Sequence, residues 1–290
     1  MNNPLFRPPA EADSLILQID SGCPHNRCSF CGMYRGMPYR KRPMDEVRTL
    51  IERESQRMPG AQRVFLADGD VMSRPFDELR AILEKLGGAL PRLARVNLYA
   101  NGCSIAAKTE PELGMLRDLR LHTLYMGLES GDEATLARCQ KGETVAQMVA
   151  AGRLAQAAGL RMSVMVLLGL GGADRSREHA VQTSEALNRM QPRLLSALRV
   201  IPVEGTALHA AAVNGIFRQL TEWEIVRELR DLVAGLVLQS TVFRANHASN
   251  VIPIEARLPR DKERLLSTLE SLLDGNSLDK RSPGKIPMWL

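Results

Sequence analysis

Three of the five cysteines stand within nine residues, as Cys23, Cys28 and Cys31. The C-x4-C-x2-C spacing places three thiolates on one loop, and thiolate is the usual protein ligand of iron–sulfur clusters. The other two cysteines, Cys103 and Cys139, lie far away in the sequence. One iron of a cubane cluster would then keep an open coordination position, which is typical of catalytic metal centres. The triplet therefore indicates a 4Fe–4S cluster used for chemistry.

A structural zinc site is the alternative interpretation of the same loop. Zinc binds thiolate and imidazole, so His25 could join Cys23, Cys28 and Cys31 as a fourth ligand. Such sites usually stabilise small, loop-rich domains, whereas this triplet follows an apolar strand in a chain of 290 residues. Loops after strands carry the catalytic residues of parallel β/α folds. The context favours the cluster, and a non-catalytic zinc- or cluster-binding protein stays open as an alternative.

The composition is that of an ordinary globular protein, with 44% hydrophobic and 24% charged residues. No apolar run approaches the roughly 20 residues of a membrane span, and the polar N-terminus does not resemble a signal peptide. An odd number of cysteines with one tight cluster favours metal binding in a reducing compartment. We therefore expect a cytoplasmic protein with no membrane partner. The net charge of +5 is spread along the chain, which favours a solvated surface over a nucleic-acid site.

Short apolar segments alternate with longer amphipathic ones over the first two thirds of the chain. The predicted strands are residues 14–20, 63–68, 95–101, 121–128, 161–168 and 194–202. The predicted helices are residues 45–58, 75–87, 109–119, 132–139, 145–158 and 176–190. This alternation predicts parallel β/α units joined by right-handed crossovers. We expect an α/β fold, a partial (β/α)6 TIM-like barrel with a C-terminal α/β extension.

The pattern changes after about residue 206, where a helix (221–238), a strand that leads into a polar loop (241–250) and a last helix (261–273) follow. We therefore divide the chain into a core, residues 12–210, and an extension, residues 211–290, that caps the barrel. A polar group in the extension consists of Arg244, Asn246, His247 and Asn250. These residues are candidates for contact with substrate. They are equally well explained as a loop held by its own side-chain hydrogen bonds.

Residues with useful chemistry follow several of the predicted strands. The cysteine triplet follows the first strand, Gly69 and Asp70 follow the second, and Glu129 and Ser130 follow the fourth. In β/α barrels the active site lies at the carboxyl ends of the strands, so we expect these residues to contribute to one site. Cys103 follows the third strand. We interpret it as a small buried hydrophobe rather than a radical relay or an additional ligand.

With these motifs in these places, the chain resembles the radical S-adenosylmethionine (SAM) superfamily over about residues 12–210. The common triplet of that superfamily is C-x3-C-x2-C, and this chain has one more residue between its first two cysteines. It is most similar to the group of the Elongator catalytic subunit, the methylthiotransferases and the nitrogenase-cofactor maturases. Its tail, with His247-Ala-Ser249-Asn250 and Leu258-Pro-Arg-Asp261-Lys-Glu263, resembles a widespread bacterial branch of radical SAM proteins.

The resemblance implies two cofactors, a 4Fe–4S cluster on Cys23, Cys28 and Cys31, and SAM. The residues that it assigns to SAM are Phe30 at the adenine, Gly69 and Asp70 at the amino group, Glu129 and Ser130 at the ribose or methionyl part, and Lys141 at the carboxylate. It also implies glycine-rich contacts to the adenine from the end of the fifth strand, in the segment 166–172.

The resemblance also implies an activity and partners. A reduced flavodoxin or ferredoxin supplies one electron, and SAM is cleaved to methionine and a 5′-deoxyadenosyl radical, which takes a hydrogen atom from substrate. Such an enzyme is oxygen-sensitive. We expect a small-molecule substrate. A tRNA-modifying radical SAM enzyme is the alternative, suggested by the pI of about 9.1 and the Elongator-like core, although the sequence shows no second cysteine triplet and no acetyltransferase region.

Overall fold

The computed structural model describes residues 6–284. The strands of this part of the chain are β1 (Leu15–Gln18), β2 (Asp20–Ser21), β3 (Arg40–Lys41), β4 (Arg63–Ala67), β5 (Arg95–Tyr99), β6 (Leu121–Glu129), β7 (Arg161–Leu168), β8 (Leu194–Arg199), β9 (Thr241–Arg244) and β10 (Glu255–Leu258). The α-helices are α1 (Met44–Arg57), α2 (Phe76–Ala89), α3 (Gly102–Ala106), α4 (Glu110–Asp118), α5 (Glu133–Arg138), α6 (Val145–Ala157), α7 (Gly172–Met190), α8 (Ala207–Val213), α9 (Glu222–Gly235) and α10 (Lys262–Asp274).

Within residues 6–284, eight strands belong to one mostly parallel sheet in the order β1-β4-β5-β6-β7-β8-β9-β10. The first six of these are the six strands that the sequence predicts, and their order is the one expected of a partial (β/α)6 barrel. The α/β fold class is therefore confirmed. The described chain divides into two compact units, formed by residues 6–26, 33–126 and 150–162 and by residues 27–32, 127–149 and 163–284. The predicted boundary between residues 210 and 211 stays a prediction.

The first unit contains the parallel strands β1, β4 and β5. Their side chains are buried or partly buried. A small antiparallel ladder, β2 with β3, pairs Asp20 with Lys41 and Ser21 with Arg40. This ladder joins the two ends of the segment 22–39, and Cys23 follows its first strand directly.

The second unit contains β7, β8 and β9, which are parallel, and β10, which runs antiparallel to β9. Helix α7 packs against α9, and α9 packs against α10. The sequence predicts β7 with its observed bounds, but it places the start of α7 four residues late and misses β10 and the short helices α3 and α8. The segment 241–250, predicted as a strand that leads into a polar loop, forms β9 up to Arg244 and has no strand after it. Between residues 6 and 284 no helix combines the length and the apolar character that a membrane crossing requires.

Candidate functional site

A buried ion pair lies at the base of the cysteine loop in the first unit. The Arg74 side chain is 0% exposed and the Asp20 side chain 2%. Arg74 donates from Nη2 to Asp20 Oδ1 at 2.6 Å and from Nε to Oδ2 at 3.1 Å, which is the bidentate arrangement that a guanidinium favours. It also donates to the carbonyls of Ile19 and Arg42. The guanidinium therefore holds β2 together with the end of β3.

Gly69 lies directly against Cys23. The Gly69 N–H donates to the Gly22 carbonyl at 3.2 Å. A Cβ atom on Gly69 would stand 2.7 Å from the Cβ of Cys23, a distance that real Cβ atoms do not reach. Only glycine lets the turn after β4 approach the first cysteine this closely, so the structure brings the predicted Gly69 and Cys23 together.

The two aspartates that flank Gly69 are buried and make several hydrogen bonds. Asp70 accepts from the Ser104 hydroxyl at 2.8 Å and from the Asn101 side chain at 3.0 Å. Asp68 accepts from Gln18 at 2.7 Å and from the Gly22 N–H at 3.3 Å, and burial raises the pKa of Asp68. Asp70 thus ties the turn after β4 to the turn after β5. Its assignment to the SAM amino group stays a prediction.

The second part of the cysteine loop is held in the second unit by its backbone. The Ser29 N–H donates to the Cys139 carbonyl at 2.9 Å, and the Ser29 carbonyl accepts from the Leu208 N–H at 2.9 Å. Phe30 is partly buried and packs against a cluster of buried side chains, namely Cys139, Leu170, Val200, Leu208 and Phe217. The predicted adenine contact Phe30 therefore has a fixed apolar environment. Cys139 is buried, which is consistent with a structural role for this cysteine.

Glu129 and Lys141 form a buried pair in the second unit. Lys141 Nζ lies 3.5 Å from Glu129 Oε1, and the side chains are 7% and 13% exposed. Burial raises the pKa of Glu129. Against the effect of burial, the Glu129 carboxylate and the nearby Cys28 thiol raise the pKa of Lys141. The structure thus brings two of the predicted cofactor residues together, with Cys28 close enough to act on the lysine electrostatically.

The backbone at the end of β6 is shaped to hold the Glu129 carboxylate in place. Glu129 has a φ of +63°, which is uncommon for a residue with a side chain. A Cβ on Gly127 would stand 1.9 Å from Glu129 Oε1, so the carboxylate folds back over the glycine. Gly127 leaves the space that the Glu129 side chain occupies.

Ser130 is fully buried, and its hydroxyl is engaged within the protein. Its Oγ lies 2.7 Å from His179 Nδ1 and accepts from the Asp132 N–H at 3.0 Å. The imidazole on its other side lies 3.6 Å from Glu228 Oε1. Sequence reasoning missed both His179 and Glu228. The four-residue spacing of His179 and Thr183 within the predicted helix 176–190 was the available signal for His179.

The polar group of the extension is held largely by local contacts. Arg244 pairs with Glu255 across β9 and β10 at 3.4 Å, and Asn246 is exposed. His247 Nδ1 lies 2.9 Å from the Ser249 hydroxyl and accepts from the Ser249 N–H at 3.1 Å. Burial lowers the pKa of His247. These contacts fit a loop tied by its own hydrogen bonds, and contact with substrate stays a prediction for these residues.

The three cysteines of the loop suit a cubane cluster because they offer sulfur donors and are partly exposed. All three lie outside disulfides and are partly exposed. Between residues 6 and 284 no group of three His, Cys, Asp or Glu side chains could hold a single metal ion. In a cubane cluster each thiolate would bind its own iron, so a site for a single ion is not required. The expectation that Cys103 is buried is wrong, because it lies exposed at the start of the short helix α3.

Comparison with known proteins identifies the class. The family model of the radical SAM superfamily matches residues 17–183, more than half of the chain and the part that contains the cysteine triplet, Asp70, Glu129 and Lys141. The chain belongs to the radical SAM superfamily. Members of this superfamily use a 4Fe–4S cluster and SAM. A search of curated protein sequences found no significant match.

Solved structures share the fold at low sequence identity. The FeFe-hydrogenase maturase HydG from Carboxydothermus hydrogenoformans has a TM-score of 0.52 and 18% identity, over 88% of this chain and 56% of its own. Methylornithine synthase (PylB) has a TM-score of 0.54 and 17% identity, over 89% and 81%. Elp3 of the archaeon Methanocaldococcus infernus has a TM-score of 0.54 and 14% identity, over 89% and 63%. The chain therefore spans about half the length of HydG.

Proposed function

We propose that this chain reductively cleaves SAM at a 4Fe–4S cluster held by Cys23, Cys28 and Cys31, and that the product radical takes a hydrogen atom from a small-molecule substrate. The observation that carries the proposal is the triplet of partly exposed cysteines, none of them in a disulfide, inside the 17–183 segment matched by the superfamily model. When bound, the cluster and SAM supply one-electron cleavage of a carbon–sulfur bond and an alkyl radical. The protein binds and orients the cluster and SAM, and it excludes water from them.

The buried pair of Lys141 and Glu129 supports the assignment of both residues to SAM. A buried ammonium group is a strong partner for a carboxylate such as that of SAM, because a low dielectric strengthens the attraction. Glu129 offers carboxylate oxygens to ribose hydroxyls. In the free protein each side chain neutralises the other at 3.5 Å. Binding of SAM would replace that contact by two contacts to the ligand.

Gly69 and Phe30 support the remaining assignments by shape. The turn at Gly69 packs against Cys23 with no room for a side chain, so its backbone lies directly beside the first cysteine. Phe30 precedes Cys31 and is packed on one side by buried apolar residues, which leaves an aromatic ring to stack on the adenine. The assignments of Asp70 and Ser130 to SAM rest on the resemblance, since these residues follow β4 and β6.

The proposal includes a reduced flavodoxin or ferredoxin as electron donor and a cytoplasmic, oxygen-sensitive enzyme. The five cysteines form no disulfide within residues 6–284, which fits a reducing compartment. The residues of the C-terminal extension, with Arg244, Asn246 and His247, are the proposed substrate contacts. Structural likeness to Elp3 concerns the fold and does not by itself favour RNA as substrate.

Spectroscopy of the reconstituted protein tests this proposal. The chain would be loaded anaerobically with iron and sulfide, reduced with dithionite, and examined by electron paramagnetic resonance with and without SAM. We expect about four irons per chain, a signal of a reduced cubane, and a change of that signal when SAM binds the open iron. Zinc in place of iron, or a signal that SAM does not change, would contradict the proposal.

A further inference from the structure

One face of α7 holds the turn that follows β6, residues 130–132, by side-chain hydrogen bonds. His179 Nδ1 lies 2.7 Å from the Ser130 hydroxyl, and the Thr183 hydroxyl accepts from the Gly131 N–H at 2.8 Å. Arg175 donates to both carboxylate oxygens of Asp132, at 2.7 Å and 2.8 Å. Arg175, His179 and Thr183 are spaced four residues apart, so they share one face of the helix. Three successive residues of the turn are therefore held by three successive turns of one helix.

The turn and the helix also touch through their backbones. A Cβ on Gly131 would stand 2.2 Å from the Gln182 carbonyl oxygen and 2.5 Å from the Thr183 Cα. Glycine at this place lets the turn lie directly on α7. The contact leaves the turn no room to shift toward the helix, and the hydrogen bonds prevent it from moving away.

Glu228 of α9 extends this contact to the end of β7. Its side chain is completely buried. One oxygen accepts from the Gly169 N–H and the other from the Ser176 hydroxyl, both at 2.6 Å. The first oxygen also lies 3.6 Å from His179 Nε2. Glu228 and His179 thus connect Gly169, after β7, with Ser130, after β6.

This arrangement is costly to build, because a carboxylate is strongly hydrated in water and burial raises the pKa of Glu228. Apolar side chains would fill the space between α7 and α9 without that penalty. The polar groups that Glu228 satisfies include the N–H of Gly169, a residue with a φ of +81°. The backbone that precedes Ser130 is held at a φ of +63°, at Glu129. Glu129 therefore has a backbone conformation that is sparsely populated for a residue with a side chain and that persists only when the surroundings impose it, whereas glycine adopts the positive φ of Gly169 readily.

We propose that His179 and Glu228 are positioning residues for SAM: they hold the backbone at Glu129 and Gly169 in the conformation that binds the cofactor. This inference rests on the proposed function, in which Glu129 binds SAM. Neither side chain touches the cofactor. Glu228 comes from outside the 17–183 segment that the superfamily model matches, so the C-terminal part of the chain contributes to SAM binding through this contact.

Two readouts on the same variants test the inference. The first is amide hydrogen exchange of the chain without cluster, followed at Gly131 and Gly169. The second is the dissociation constant of SAM, measured by equilibrium dialysis on the reconstituted protein. The variants are His179→Leu and Glu228→Leu, which remove the polar contacts, and His179→Asn and Glu228→Gln, which keep a polar atom for Ser130 and Gly169. Ser184→Ala is the control, since Ser184 is buried on α7 and its hydroxyl donates to the Val181 carbonyl of the same helix.

We expect both leucine variants to exchange these amides faster and to bind SAM at least about tenfold more weakly, while the asparagine and glutamine variants stay within about threefold of wild type. Amides of β4 serve as the check that the fold is intact. Faster exchange with unchanged SAM affinity, or equal loss in Ser184→Ala, would overturn the positioning role. If the wild-type protein itself does not bind SAM, the proposed function fails, and the exchange data alone then describe a structural contact.

Discussion

Lys141 Nζ and Glu129 Oε1 lie 3.5 Å apart, with side chains 7% and 13% exposed. Removing one partner of such a buried ion pair costs more stability than the whole pair contributes, because the remaining charge is left without compensation. The pair therefore has two consequences that can be measured separately, one for stability and one for SAM.

The stability consequence is tested by Lys141→Met. We expect the free energy of unfolding to fall by about 3–5 kcal/mol, because Glu129 keeps a buried charge without a partner. The double variant Glu129→Gln with Lys141→Met should recover most of that loss, measured by urea unfolding. Lys85→Met is the surface control, with an expected loss below about 1 kcal/mol. A double variant as unstable as the single one would contradict a charge effect.

Arg74 provides a second prediction, on iron uptake. Arg74→Lys keeps the positive charge but loses the fork that spans both oxygens of Asp20. We expect a lower melting temperature and less iron per chain after reconstitution, because the base of the cysteine loop loosens. Arg80→Lys, at an exposed position of α2, is the control. Wild-type iron content in Arg74→Lys would show that the ion pair does not position the loop.

The pairing of Asp132 with Arg175 predicts a pH dependence. Although burial opposes ionisation, Arg175 and Thr135 lower the pKa of Asp132 from 3.8 to about 2. A carboxyl with a depressed folded-state pKa stabilises the fold above its unfolded pKa, and this contribution is lost as the pH falls through the folded value. Asp132→Asn should be less stable than wild type at about pH 6, and the difference should shrink from about pH 4 towards about pH 2. Urea midpoints across this range measure it, and a difference that stays constant would refute the assignment.

Thr221 caps α9, the helix that carries Glu228. Its hydroxyl accepts from the Glu224 N–H at 3.2 Å, and the Glu224 carboxylate accepts from the Thr221 N–H at 2.9 Å. We expect Thr221→Ala to lower the free energy of unfolding by about 1 kcal/mol. Thr268→Ala, in the middle of α10, should be neutral or slightly stabilising, because alanine is the better helix former. Equal losses at both positions would argue against a capping effect.

The strands of the sheet were predictable because each is a short apolar run with turn residues at its end. The segment 161–168 is predicted with its observed bounds. By contrast, β10 has only four residues, and its pairing with β9 depends on a chain reversal that local pattern does not reveal. Helix α7 begins at Gly172 rather than at residue 176, because contacts such as the hydrogen bond from the Ala173 N–H to the Arg218 carbonyl override the low helix propensity of Gly172 and Asp174.

The same distinction holds at the candidate site. Cys23, Cys28 and Cys31 are close in sequence, so their spacing alone indicated a cluster. Glu228 and His179 are about fifty residues apart, and no local pattern joins them. Their contact arises from the packing of α9 on α7, which only the fold reveals.

The yield of 5′-deoxyadenosine from SAM is the most direct test of SAM cleavage at a cluster on Cys23, Cys28 and Cys31. The reconstituted wild-type chain and the variants Cys23→Ala, Cys28→Ala and Cys31→Ala would be incubated anaerobically with SAM and dithionite, with Cys103→Ala as a control outside the triplet. We expect 5′-deoxyadenosine from wild type and Cys103→Ala, and at least about a hundredfold less from each triplet variant. Equal yields from wild type and the triplet variants, or no product from any of them, would contradict it.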